Sequence, residues 1–253
     1  MIQAATGATA GASWPRIAPL GTDGLLVSFG DTLDEAANRA ALAFRAAAQQ
    51  AGLDGLCETA TSLASAYLRF DPDLDAPEDF VAAVTRLAQG RDWFAESLPQ
   101  GRRLWRIPCV FGGDLAPQLT EAAAAAGLTP EAAVRSIAET RLRVQTIGFA
   151  PGQPYLGALG PEWEIPRQTA LTDRIPVGAL CVAIRQMVLF TVSTPTGWRH
   201  VGQTAFRGFR PGADAPLVLR AGDEVIFDPV PADAYAALVA QGPAGGATAK
   251  ELA

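Results

Sequence analysis

The sequence predicts an α+β protein, a small sandwich of strands and helices followed by an antiparallel β-barrel. Three observations carry this. Strand-like and helix-like periods interleave as far as Gly90. After Arg141 only short apolar runs remain, separated by glycine and proline turns. The 253 residues, 49% hydrophobic and 18% charged, suffice for one large or two modest domains with their own cores.

Met1 to Ser13 is small and polar-neutral, and residues 1–13 read as a disordered tail. Arg16–Leu20 and Leu25–Phe29 read as short strands about the turn Gly21-Thr22-Asp23-Gly24. From Asp31 to Gln50, Leu33, Ala37, Ala40, Ala41 and Phe44 share one helical face. Leu56–Ala60 and Ser65–Phe70 follow as strands. Asp75-Ala76-Pro77-Glu78 has a capping-box pattern and opens a helix that ends near Gly90. Both helices are expected on one face of the sheet, a ferredoxin-like arrangement over residues 14–95. Arg91 to Arg103 reads as the linker.

The second domain is expected over residues 96–235, with residues 236–253 as a C-terminal tail. It starts with a strand, Leu104 to Phe111. Helices follow over Leu115–Ala126, closed by Gly127, and over Pro130–Thr140, with Thr129 as N-cap. Leu142–Phe149, Ala179–Ile184, Met187–Val192, Leu217–Leu219 and Glu224–Phe227 supply the barrel strands.

Composition excludes several chemistries. A net charge of −6 leaves no basic excess for non-specific nucleic-acid binding. No apolar run approaches a bilayer span. Without a basic n-region or an apolar h-region, no signal peptide is predicted, and a cytoplasmic location follows by default. Cys57, Cys109 and Cys181 have no metal or redox spacing, and the last two read as buried packing residues. His200 is the only histidine, so a multi-histidine metal centre is ruled out and no metal is expected. Lys250 is the only lysine, which removes a Walker A loop and a Schiff-base lysine from the body of the fold. Phosphates would need arginines, backbone amides or a partner chain.

Two strings concentrate rigid backbone beside an aromatic. They are Gly148-Phe149-Ala150-Pro151-Gly152-Gln153-Pro154-Tyr155-Leu156-Gly157 and Thr194-Pro195-Thr196-Gly197-Trp198. Each reads either as part of a shaped site or as an ordinary barrel-corner turn.

These strings, with Gly21 to Gly30, Ile107 to Asp114, Ile165-Pro166-Arg167, Arg174 to Gly178 and Ala221 to Phe227, resemble one family over nearly the whole chain. It is the family of 5-oxoprolinase B subunits, also described as KipI-like or as the first subunit of allophanate hydrolase. The resemblance implies a cyclophilin-like barrel and a heteromer with the C and A subunits of such a 5-oxoprolinase. It implies ATP-dependent opening of the lactam ring of 5-oxo-L-proline to L-glutamate, with ATP held here or jointly with a partner. It also admits a KipI-like inhibitor of a sensor histidine kinase, or a divergent amide- or urea-type carboxyltransferase or hydrolase subunit with another substrate. The chain departs from the family pattern at Ile137, Gln153, Leu171-Thr172, Ile184, Arg185, Val188 and Gln203-Thr204-Ala205.

The candidate substrate- or nucleotide-binding residues are Pro151, Gly152, Tyr155, Arg167, Arg174, Gln186, Thr194, Gly197, Trp198, Gln203 and Thr204. No catalytic residue is assigned. Arg167 and Arg174 suit an anion or a partner's backbone, with surface ion pairing as the alternative. Tyr155 and Trp198 are expected at the barrel's open end, above a cleft that a sister protein caps; simple packing is the alternative. His200 reads as a satisfied structural or surface histidine rather than a general base.

Overall fold

In the computed structural model, which describes residues 14–252, the chain divides into two units, with the boundary between Leu98 and Pro99. The tail expected over residues 1–13 lies outside the described residues.

The first unit begins with strands β1 (Arg16–Pro19) and β2 (Gly24–Ser28), then helix α1 (Glu35–Gln50). Strands β3 (Leu56–Ser62) and β4 (Ser65–Phe70) and helix α2 (Pro77–Gln89) follow. All strand pairs are antiparallel, in the order β1-β2-β4-β3. Strand alternation sends Leu25 and Val27, with Ala66, Leu68 and Phe70, to one buried face. The α1 alanines at 37, 40, 41 and 48 allow close approach to that core, and Asp34 caps the helix by accepting from Ala37 N at 2.7 Å.

Two expectations need correction in this unit. The N-cap of α2 is Ala76, without a side-chain bond, rather than Asp75; the helix starts at Pro77, whose missing N–H needs no cap. The linker expected from Arg91 begins later, because Trp93 is buried against Phe29 and Phe44 and donates Nε1 to Ala88 O at 2.7 Å.

The second unit is built on β5 (Arg103–Phe111), β6 (Leu142–Ile147), β7 (Pro154–Gly157), β8 (Thr172–Ile175) and β9 (Ala179–Ala183). Strands β10 (Gln186–Leu189), β11 (Thr194–Thr196), β12 (Arg199–Gln203), β13 (Glu224–Pro229) and β14 (Thr248–Glu251) complete it. Seven of them close a ring in the order β12-β9-β10-β7-β6-β13-β5, sealed by β5 on β12. The ring is not wholly antiparallel as expected, since β5 and β13 run parallel. Every ring strand contributes to one core, including Ile107, Val144, Leu156, Val182, Met187, Val201 and Phe227, so the interior is filled by side chains.

The expected C-terminal tail is structured instead. Helix α5 (Tyr235–Ala240) follows β13, and β14 pairs with the first half of β5. Since β13 occupies one edge of β5, β14 and β12 share the other. Before the ring's second strand lie helices α3 (Leu119–Ala125) and α4 (Pro130–Glu139). Helix α3 starts later than expected, after a separate 3₁₀ turn at Gly113–Leu115; Pro117, between the two, lacks the N–H that a continuous helix would need. Thr129 caps α4 through Ala132 N. Leu217–Leu219 makes only an isolated bridge, Leu217 to Phe209. Both loop-like strings carry a short strand, with Pro154 tolerated as the first residue of β7. Among the described residues no helix is long and apolar enough to cross a membrane.

The β9–β10 hairpin turns on Ile184 and Arg185, both at positive φ, 46° and 60°. A two-residue turn of this kind favours Asn-Gly, and a β-branched residue fits it worst. Ile184 is 38% exposed, so little packing opposes its replacement. Ile184→Asn is expected to stabilise the protein by about 1 kcal/mol, read as a raised midpoint in urea; an unchanged or lowered midpoint would refute the assigned strain.

Candidate active site

Strand β12 carries the site through an irregularity. In a regular strand His200 and Gln203 would face opposite sides. Here His200 pairs with Cys181, Gly202 with Leu180 and Gln203 with Ala179, leaving Val201 as an extra residue. This bulge restores the parity, so His200 and Gln203 face the same way. That face is the outer one. It also holds Ala179, Cys181 and Trp198, packed with Ile175 of β8.

Beside this packing lies a cavity of about 480 Å³. Its walls come from His200 and Gln203, from Thr172, Arg174, Ile175 and Pro176 around β8, from the turn after β5 (Asp114, Leu115, Pro117 and Gln118), and from Tyr235 at the start of α5. Thr172 and Gln203, two positions where the chain departs from the family it resembles, meet here. Ile137, a third, is buried in the barrel core.

The walls are firmly held. Gln118 binds the main chain of His200 twice, donating N to His200 O at 3.0 Å and accepting from His200 N at Oε1 at 2.9 Å. Its Nε2 donates to Gln168 Oε1 at 2.8 Å. Gln203 Nε2 donates to Val177 O at 3.0 Å and Thr204 O at 3.1 Å, with the Tyr235 hydroxyl at 3.3 Å. This fixes the amide orientation, with Nε2 facing carbonyls. Thr204 donates both N and Oγ1 to Gly178 O, and Arg207 donates to Val177 O. Gly178 is held at φ +85°, where a Cβ would collide with Thr204 O, so only glycine fits.

Two atoms on these walls are left over. His200 Nε2 and Gln203 Oε1 are buried without a hydrogen-bond partner, in residues 4% and 2% exposed. The two side chains also interact with each other, and the His200 ring with the backbone of Gly202. Arg174, also on the wall, is exposed and makes no ion pair or side-chain hydrogen bond among the described residues.

Of the candidates from the sequence, Arg174 and Gln203 line the cavity. Thr204 is buried next to it and holds Gly178. The others do not line it. Tyr155 and Trp198 pack edge to face at 6.1 Å, with Arg167 5.2 Å above the Trp198 ring. They therefore take the packing role, and the cavity does not lie beneath them as expected. Gln186 donates Nε2 to Gln145 at 2.7 Å. Pro151 is exposed and accepts from Thr191, and Gly152 lies buried against the backbone of Gly208. Thr194 pairs with Ile175, and Gly197 O accepts from Gln168 N.

Sequence reasoning missed Gln118, Tyr235 and His200 as wall residues. His200 is a buried histidine in contact with the Gly202 backbone and the Gln203 side chain. A single histidine three residues before Gln203 was visible, but the bulge that brings them together was not.

Burial pushes the His200 imidazole below its ordinary value of 6.5, against smaller raising contributions from the Gly202 backbone and the Gln203 side chain. The folded state therefore holds a neutral ring through a window in which the unfolded chain takes up a proton. Its contribution to stability is complete above pH 6.5 and is lost as pH falls toward the folded value. The one imidazole resonance in NMR should titrate with a midpoint below 6.5; a midpoint at or above it would contradict the buried placement. Cys109 and Cys181 are buried as expected, and burial raises both thiols far above the reactive range.

The model of the carboxyltransferase domain, subdomain C and D, matches residues 15–219. The chain is 30% identical to the 5-oxoprolinase B subunit of Bacillus subtilis over 223 residues, covering 84% of this chain and 91% of that one. It is 35% identical to the Escherichia coli O157:H7 protein of the same description over 149 residues, 58% of this chain and 67% of the other. Among solved structures it is similar to TTHA0988, with a TM-score of 0.69 and 28% identity, covering 83% of this chain and 40% of that one. It also shares a fold with the K. lactis urea amidolyase, with a TM-score of 0.72 and 14% identity over 94% of this chain and 16% of the other. The chain thus spans less than half of either solved protein.

Proposed function

We propose, on the premise that this chain belongs to the carboxyltransferase-domain family (subdomain C and D) together with the 5-oxoprolinase B subunits, that it is one member of a heteromeric 5-oxoprolinase. In this reading it works with proteins like the C and A subunits of that enzyme to hydrolyse the lactam of 5-oxo-L-proline at the expense of ATP. The supporting observation in the structure is the cavity beside β12, whose wall carries Arg174 with the polar residues Gln118, His200 and Gln203.

The same cavity does not suit ATP. Arg174 is the one guanidinium on its wall, Asp114 adds a carboxylate, and the chain's single lysine is on β14. A triphosphate needs several cations or a cradle of backbone amides. We therefore place the nucleotide on a partner protein. This chain's part is to hold and orient a small carbonyl compound.

The fold reading follows the same line. Strand order β1-β2-β4-β3, with helices after β2 and β4, supports a ferredoxin-like sandwich whose last strand has moved to the front. The seven-stranded ring supports a cyclophilin-like barrel.

Reconstitution tests the function. The chain alone should be inactive, and the complete heteromer should hydrolyse ATP only when 5-oxo-L-proline is present. A complete, folded heteromer with no such turnover would retire the proposal.

A further inference from the structure

Two opposite charges face the cavity, and neither is used by the fold. Asp114 stands in the turn after β5 and Arg174 on β8. Both are exposed, and among the described residues neither makes an ion pair or a side-chain hydrogen bond, with each other or with any other group. The elements that carry them are tied in place. Gly112 N donates to Val201 O at 3.2 Å, and with the bonds of Gln118 to His200 this fixes the turn against β12. Strand β8 pairs with β11, and its Ile175 packs on the outer face of the ring. The rest of the wall carries no charge at neutral pH. Leu115, Pro117, Ile175 and Pro176 are apolar, and burial keeps the His200 ring neutral. Apolar walls weaken the screening of the two charges that remain.

A carboxylate and a guanidinium held apart on one cavity complement a ligand that carries both an ammonium and a carboxylate. A simple anion would serve Arg174 and leave Asp114 without a partner. A simple cation would do the reverse. We infer that this cavity binds a free α-amino acid, with its carboxylate on Arg174 and its ammonium on Asp114. The inference deepens the proposed function and rests on it for the ligand's identity, the ring-opened product L-glutamate. When the lactam C–N bond breaks, the carbonyl carbon takes the hydroxyl of water and the nitrogen takes its proton. The new carboxyl then gives its own proton to the amine, leaving a carboxylate and an ammonium. The ring nitrogen is thus the atom that becomes cationic. Asp114 gains a charge-assisted bond only after the ring has opened, whereas the intact lactam offers it a neutral N–H. Arg174 holds the same carboxylate in both states. Asp114 is thereby a specificity-determining residue that favours product over substrate.

Calorimetric titration of the full chain at neutral pH tests this. The ligands are L-glutamate, 5-oxo-L-proline, L-leucine and N-acetyl-L-glutamate, which keeps both carboxylates and lacks the ammonium. L-Glutamate should bind saturably, and about tenfold or more tighter than N-acetyl-L-glutamate or 5-oxo-L-proline. Asp114→Asn should weaken L-glutamate about tenfold or more and 5-oxo-L-proline far less. Arg174→Ala should weaken both. Neither side chain has an internal partner among the described residues, so unfolding midpoints should match the parent. Preference for L-glutamate over L-leucine identifies the ring-opened product as the ligand; the opposite preference supports the same site with an apolar amino acid.

Equal affinity for L-glutamate and its N-acetyl derivative would overturn the inference, as would an Asp114→Asn variant that binds L-glutamate like the parent. Saturable binding of L-glutamate to the isolated chain, combined with a dead reconstituted complex, would retire the oxoprolinase reading and leave the amino-acid site standing. Turnover by the complex, with no binding of L-glutamate here, would overturn the inference and leave that reading intact.

Discussion

Arg174→Ala should reduce kcat/KM of the reconstituted enzyme for 5-oxo-L-proline by about 10- to 100-fold, mostly through KM. The guanidinium is exposed and unpaired among the described residues, so its removal breaks no internal contact. A hydrogen bond to a charged group contributes about 1.5–3 kcal/mol, which sets the expected loss. Arg174→Lys should recover only part of it, because an ammonium cannot grip a carboxylate in two places. Arg167→Ala is the matched control. Its guanidinium stacks on Trp198 away from the cavity, so kcat/KM should stay within a few-fold of the parent. Steady-state kinetics on the two variants, with unfolding midpoints alongside, decide the matter. Equal losses at both positions would detach the activity from this cavity.

Asp223→Ala should destabilise the protein by about 3–5 kcal/mol, the cost of stranding one member of a buried ion pair. Asp223 is 1% exposed and gathers donors from three residues. Arg103 Nη2 reaches Oδ2 at 2.5 Å and its backbone N reaches Oδ1 at 3.0 Å. Arg220 N donates at 3.0 Å and Trp105 Nε1 at 3.3 Å. The carboxylate thereby ties the start of β5 to the turn before β13, where the ring has its parallel pair. Thermal unfolding should begin about 10 °C lower in the variant. Asp223→Asn should cost less, because its carbonyl oxygen can still accept from Arg220 N. A midpoint within a degree or two of the parent for Asp223→Ala would contradict this role.

Much of the architecture was legible because local chemistry agreed with the final structure. Strand alternation at Ser65–Phe70 and the small-residue face of α1 gave elements within a few residues of those observed. The Thr129-Pro130 start of α4 was equally plain. What escaped depended on pairing at long range. The parallel contact of β5 with β13 joins residues more than a hundred positions apart, and nothing in either strand encodes direction. Strand β14 is exposed along its length, so its residues carry no burial pattern to read. Arg174 and Gln203 were recoverable through the family pattern. His200 entered the site through a bulge, which flips side-chain parity without a sequence mark of its own. The aromatic strings drew attention to Tyr155 and Trp198, yet their rings pack on each other and on the outer face of β9 and β10.

The most direct measurement is electron density from a crystal of the full chain soaked with 5-oxo-L-proline. Density is expected in the cavity beside β12, with the ligand's carboxylate at Arg174. Density beside Tyr155 and Trp198 instead, or an empty β12 cavity at saturating ligand, would contradict the account.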